Sequence, residues 1–309
     1  MRKCALLYSF FLLCFVNISA QELILEDSLR IPDTEVPKNR FSNALSKMFE
    51  LEKEDQRGVF RPSVYRPMYV IPFRWTDRVN RQPINTNPVN GNPPYRNYQS
   101  VEAKFQVSIK AKVWQDFLGM KGDFWVAFTQ QAYWQVYNEE LSRPFRELNY
   151  EPELMYIMPL KLSIGDFKWQ MTGLSFNHQS NGKEQLYSRS WNRVIFMNAF
   201  EWRNLILVTR LWKRIQEKEA DDDNKNIEDF VGKMELTAFY STQSHSFIFT
   251  MRNNLNKKNK AFAELTYIYP VGSGGLRLFA QLSTGYGDSL IEFNHKQTTI
   301  GVGVILSEF

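Results

Sequence analysis

From Val101 onward the chain alternates apolar and polar residues with a period of two. Phe124, Val126, Phe128, Ala132, Trp134 and Val136 share one parity, and Thr129, Gln131 and Gln135 the other. The pattern returns in Leu205, Leu207 and Leu211, in Phe247, Phe249 and Met251, in Leu276, Leu278 and Leu282, and in Ile300, Val302, Val304 and Leu306. Such a period belongs to strands with one apolar and one polar face. Polar stretches separate them: Glu217 to Glu228, Asn253 to Lys260, Val271 to Gly275 and Gly285 to Ser289. Beyond the N-terminus no apolar run approaches the ~18–20 residues of a membrane-spanning helix. The chain reads as all-β.

A soluble sandwich also alternates, so the N-terminus matters. Arg2 and Lys3 form a basic start, Ala5 to Val16 an apolar stretch, and Ile18-Ser19-Ala20 a small-residue end. Residues 1–20 thus read as a signal peptide cleaved before Gln21, and the protein as exported. Lipidation at Cys14 is the weaker reading, because Leu13 is bulkier than the residue expected before a lipidated cysteine. Cys4 and Cys14 both leave with the peptide, which excludes disulfides, thiol catalysis and cysteine–metal sites. Losing Arg2 and Lys3 lowers the formal charge from +5 to +3, too slight to suggest nucleic acid.

Residues 21–100 are irregular, with prolines at 62, 67, 72, 83, 88, 93 and 94, which make poor central strands. A short helix is expected within Phe41 to Lys53, and a first strand around Met68 to Trp75. Trp191, Trp202, Trp212, Tyr267 and Tyr269 lie near strand ends, where a membrane interface would place them, and the chain ends in Phe309. Phe309 differs in parity from Leu306, so the last residues must leave the alternation. At about 20 residues per strand and connection, residues 68–309 hold ~12 strands. The expected fold is a transmembrane antiparallel β-barrel, a single domain over 68–309 behind an N-terminal extension over 21–67.

One stripe of this barrel carries chemistry. Thr172, Leu174, Phe176, His178 and Ser180 share a face that is apolar until it reaches His178 and Ser180. On the returning strand, setting Asn192 opposite His178 also sets Val194 opposite Phe176 and Phe196 opposite Leu174, so apolar meets apolar. Ser180 then offers a nucleophile, His178 a base, and Asn192 an acceptor that fixes the imidazole tautomer. An amide there brings no charge, so further electrophilic help is expected. A polar strand end is the plainer reading of these three residues, and the pattern alone leaves both open. His245 and His295 lie near strand ends, expected to face solvent or lumen, and Asp221 to Asp223 read as a solvated loop tip. Gln130 interrupts the apolar parity of its strand; it suits either a contact with a second copy or a lumen or strand-end position.

At Asn177-His178-Gln179-Ser180-Asn181-Gly182, followed by Ser188-Arg189-Ser190-Trp191-Asn192-Arg193, the sequence resembles the outer membrane phospholipase A family of Gram-negative bacteria. The likeness extends over Lys104 to Tyr150, notably Ser142 and Pro144-Phe145-Arg146-Glu147, into Asn149-Tyr150-Glu151-Pro152, and returns at Gly285-Tyr286-Gly287, Ser289-Leu290-Ile291 and Gln297 to Leu306. It barely touches residues 21–100. The resemblance implies a twelve-stranded outer-membrane barrel whose active site faces lipid. It also implies hydrolysis of fatty-acyl esters of glycerophospholipids (A1 and A2 positions) and of lysophospholipids. His178, Ser180 and Asn192 match the catalytic residues, and Gly182 the position whose N–H binds the oxyanion. The family needs calcium, and the ligands carry over as Ser188 (hydroxyl), Lys183 (backbone carbonyl, where the family usually has Arg) and Ser142, contributed by the partner subunit. The active form is then a homodimer, with Gln130 at its interface. The rival expectation is a passive barrel, a pore or structural protein with a relic site.

Overall fold

The computed structural model describes residues 44–87, 91–219, 222–242, 245–271 and 277–307. Residues 1–20, read as a signal peptide, lie outside the described residues, as do 21–43 of the extension, Asp221 and Phe309.

Helix α1 (Ala44–Phe49) and strand β1 (Pro62–Val64) precede twelve longer strands. These are β2 (Met68–Thr76), β3 (Val101–Trp114), β4 (Asp123–Trp134), β5 (Phe145–Ile164), β6 (Phe167–Ser180) and β7 (Ser190–Trp202). They continue with β8 (Leu205–Ile215), β9 (Met234–Ser241), β10 (Ser246–Asn253), β11 (Ala261–Pro270), β12 (Arg277–Tyr286) and β13 (Lys296–Ser307), with one helical turn, α2 (Ile227–Phe230), between β8 and β9. Each strand from β2 pairs antiparallel with the next, and β13 pairs back with β2, so twelve strands close a barrel. The extra strand, β1, stands outside that ring and pairs with β3 through Val64↔Ile109. Pro72, which has no N–H to donate, falls where the β2–β3 register shifts between Ile71 and Arg74, so the ladder bends around it.

Alternation decides which side is which. Val126, Phe128, Leu174, Phe176, Val194, Phe196, Ile300 and Val302 are exposed on the outer wall, while Trp125, Thr129, Ser175 and Asn177 are buried inside. Trp202 and Tyr269 face outward near strand ends, as a membrane interface favours. Trp191 and Trp212 do not. Their odd and even positions follow the pairing of β7 and β8 and point inward, and both are buried, edge to face at 6.3 Å. The Arg193 guanidinium packs over each ring, at 4.2 and 5.2 Å. Strand parity overrides the tendency of aromatics to seek the interface.

The lumen is partly occupied, around a cavity of about 220 Å³ lined by Arg66, Lys104, Glu151 and Arg252 among others. At one end α1 inserts Leu45 and Phe49 among Trp125, Ile157, Phe239, Ile268 and Phe279, an apolar plug. Toward the other end the wall turns polar, and several buried charges are paired. Arg210 donates to both Glu153 oxygens, at 2.9 and 3.0 Å, and to Tyr65 Oη at 2.6 Å. Arg146 pairs with Glu102 and with Glu292, at 2.7 and 2.9 Å. Across that end lies the β12–β13 connection, whose Leu290 and Ile291 N–H groups donate to Asn149 Oδ1 and Glu147 Oε1 at 3.0 and 3.1 Å.

Candidate active site

Hairpin β6–β7 brings His178 opposite Asn192, Phe176 opposite Val194 and Leu174 opposite Phe196, the register that matching apolar faces requires. His178 Nδ1 and Asn192 Oδ1 are 2.9 Å apart. An amide oxygen can only accept, so the hydrogen bond places the proton on Nδ1 and leaves the Nε2 lone pair free. Ser180 lies on the same outward face, two residues along β6, and its Oγ accepts the Gly182 N–H at 3.1 Å. The Ser180 hydroxyl and the His178 ring are not hydrogen-bonded to each other; catalytic contacts often tighten only around substrate. Gly182 has φ +63°, and a Cβ there would come within 3.1 Å of the Tyr150 ring, so both backbone and space call for glycine.

Beyond Ser180 the chain folds a tight loop, 181–189, stapled by the buried Asn181. Its Oδ1 accepts the Lys183 and Arg189 N–H groups at 3.3 and 3.0 Å, and its Nδ2 donates to the Tyr187 carbonyl at 2.7 Å. Arg189 donates to the carbonyls of Ser188 at 2.6 Å and Ile84 at 2.8 Å, and Asn85 donates to the Leu186 carbonyl at 3.1 Å. The proline-rich segment, without evident chemistry in the sequence, thus braces this loop. Among the described residues the Lys183 carbonyl and the Ser188 hydroxyl accept no hydrogen bond. Ser142 sits on the exposed β4–β5 turn with φ +60°, at the same end of the barrel. Leu141, Pro144, Phe145, Lys183 and Tyr187 line the cleft between that turn and loop 181–189. Within one chain, then, Lys183 and Ser188 share a loop, and Ser142 lies on a separate turn across that cleft.

Gln130 faces outward on β4, between Val107 of β3 and Tyr150 of β5 in register, and Tyr150 in turn pairs with Ser180. His245 is exposed and His295 half-buried, the latter bonded to the Arg78 carbonyl at 2.8 Å. The acidic loop departs from expectation: Asp222 is buried, 2.7 Å from the Arg214 guanidinium.

One neighbour of the triad was not singled out in the sequence. Glu217 Oε1 accepts from Asn192 Nδ2 at 3.1 Å. Burial pushes the Glu217 carboxyl up, and the Arg214 guanidinium opposes that shift. A signal existed: Asn192 pairs with Ile215, and Glu217 lies two residues further on the same face.

The chain matches the phospholipase A1 family over residues 45–306. It belongs to that family. As a phospholipase A1 family member it is 31% identical to phospholipase A1 of Proteus vulgaris over 259 residues, 84% of this chain and 85% of the relative. Its barrel superimposes on outer membrane phospholipase A from Escherichia coli with a TM-score of 0.71 at 30% identity, covering 81% of this chain and 100% of the other. The Salmonella typhi outer membrane phospholipase, a dimer with bound calcium, gives 0.72 at 30% identity, covering 82% and 95%. The family's members are phospholipases, and the barrel agrees with an outer-membrane location.

Proposed function

We propose that the chain is a calcium-dependent, dimeric phospholipase A1/A2 of the outer membrane, exported by a cleaved signal peptide, with Ser180, His178 and Asn192 as its triad. The supporting observation is the 2.9 Å contact between His178 Nδ1 and Asn192 Oδ1 on the outward face, two residues from Ser180. Unpaired polar groups are costly on a lipid-facing wall, and here His178 and Asn192 serve each other while Ser180 accepts from Gly182 N–H.

In the reaction, His178 Nε2 takes the Ser180 hydroxyl proton as Oγ attacks the acyl carbonyl of a glycerophospholipid or lysophospholipid. Gly182 N–H, now on Oγ, turns to the developing oxyanion. The imidazolium returns its proton to the glycerol oxygen as the ester C–O bond breaks. His178 then deprotonates a water, whose oxygen attacks the acyl carbon; the acyl–Oγ bond breaks as the imidazolium returns the proton to Ser180 Oγ, releasing the fatty acid. The Lys183 carbonyl and Ser188 hydroxyl are uncharged hard donors with free lone pairs, which fits calcium. Together with Ser142 of the partner subunit they would hold the ion, whose charge would add the oxyanion stabilisation that a neutral Asn192 does not bring. The passive-pore alternative loses ground to a lumen occupied by α1 and the β12–β13 connection.

The deciding experiment is phosphatidylcholine hydrolysis in mixed micelles by detergent-solubilised protein, with calcium and then with chelator, beside Ser180→Ala. Turnover needing both calcium and Ser180 is expected. Turnover that survives Ser180→Ala would sink the triad, and turnover indifferent to chelation would sink the metal.

A further inference from the structure

We propose that Glu217 is a positioning residue of this active site, a carboxylate that acts on His178 through the Asn192 amide; the proposal rests on the triad reading above. Asn192 Oδ1 meets His178 Nδ1 at 2.9 Å while its Nδ2 donates to Glu217 Oε1 at 3.1 Å. An amide can flip, and flipped it would aim its N–H₂ at Nδ1, forcing the imidazole proton onto the nitrogen that must serve as base. A carboxylate on the far side accepts only, so it holds the amide the productive way round. It also polarises the amide, because each hydrogen bond in a chain strengthens the next. The negative charge that an aspartate would place directly on the imidazole thus stands one group further out, on Glu217.

The plainer role for Glu217 is to anchor its loop through Arg214. That contact is 3.3 Å, whereas Arg214 reaches Asp222 at 2.7 Å and the Asn224 and Lys225 carbonyls at 3.1 and 3.2 Å. The loop is held without Glu217. Its other oxygen is the one committed to Asn192, and the carboxylate stays one-fifth exposed, near the outer end of the hairpin.

The two roles differ in the sign of an interaction. In the full-length protein with calcium, Glu217→Met should lower kcat about fivefold, the rate equivalent of one hydrogen bond, with little change in KM. Glu217→Gln, which keeps an acceptor but loses the charge, should lower it about twofold. Asn192→Asp alone should cost about tenfold or more, because two carboxylates then face each other. In the Asn192→Asp background, Glu217→Gln should raise kcat about tenfold, since a glutamine N–H₂ can donate to the new carboxylate. A loop anchor predicts a loss in both backgrounds. If Glu217→Gln fails to restore activity to the Asn192→Asp variant, the proposal is wrong. Should Ser180→Ala retain activity in the same assay, the triad itself has failed, a separate outcome from this one.

Discussion

The two faces of hairpin β6–β7 carry polar residues side by side in sequence and treat them in opposite ways. Asn177 and Arg193 point inward, His178 and Asn192 outward. Inside, Asn177 bonds Glu151 at 2.9 Å, Glu153 at 3.2 Å and the Arg193 guanidinium, while Glu151 also pairs with Arg66 at 3.1 Å. Each of these groups has several partners. Outside, His178 has one bond, to Asn192, and Ser180 one, from Gly182, so the serine proton and the imidazole Nε2 lone pair stay uncommitted. Saturated networks hold a barrel closed, and unsaturated ones do chemistry. The same two strands supply both because successive side chains take opposite faces.

The sharpest way to break this contrast is to delete one group from the outer set. Ser180→Ala should lower phospholipid turnover at least roughly a thousandfold while leaving the urea midpoint of the folded barrel unchanged. A large loss of stability would mean that the outer groups are structural too. The inner set should respond in reverse. Arg210→Met leaves buried Glu153 with only the more distant Arg66, at 4.0 Å, and should cost about 3 kcal/mol in unfolding measurements, with catalysis in the surviving folded fraction intact. Adding Glu153→Leu should recover most of that loss, since removing both charges also removes the desolvation penalty.

Parity makes the outer face legible in the sequence. The hairpin register follows from matching Leu174, Phe176, Val194 and Phe196, and Met68 opens the first wall strand as expected. Where composition stood in for parity, the reading failed: Trp191 and Trp212 look interfacial by residue type but take inward positions. The lumen was the least legible region. Tyr65 reaches Glu153 across 88 residues, and Arg74 reaches Asp288 across 214, and such partners leave no local period to read. Segment 77–100 has turn chemistry but no repeat, so its grip on loop 181–189 through Ile84 and Asn85 could come only from tertiary structure.

Between the saturated and the unsaturated face lies loop 181–189, and Asn181 tests which regime it belongs to. Its amide ties Lys183, Tyr187 and Arg189 together. If that staple sets the spacing of the Lys183 carbonyl and the Ser188 hydroxyl, Asn181→Ala should raise the calcium concentration for half-maximal activity about tenfold, and excess calcium should restore the rate. A loss that calcium cannot restore would instead place Asn181 with the structural network inside.

The smallest effect concerns an outer polar residue that has no hydrogen-bond partner among the described residues. Gln130 faces outward between Val107 and Tyr150, and its side chain makes no hydrogen bond among the described residues. In hydrocarbon such an amide is left wanting, whereas a two-fold axis beside β4 would bring it against its own copy, where each can donate and accept. Hydrogen bonds within membranes are worth only about 0.6 kcal/mol on average, because the separated state finds other partners. Gln130→Leu should therefore weaken dimerisation in detergent only about threefold by sedimentation equilibrium, while the monomer keeps its stability. Dimers as tight as before, or tighter, would show that the copies meet elsewhere and that this amide is tolerated on the wall for want of a strong cost.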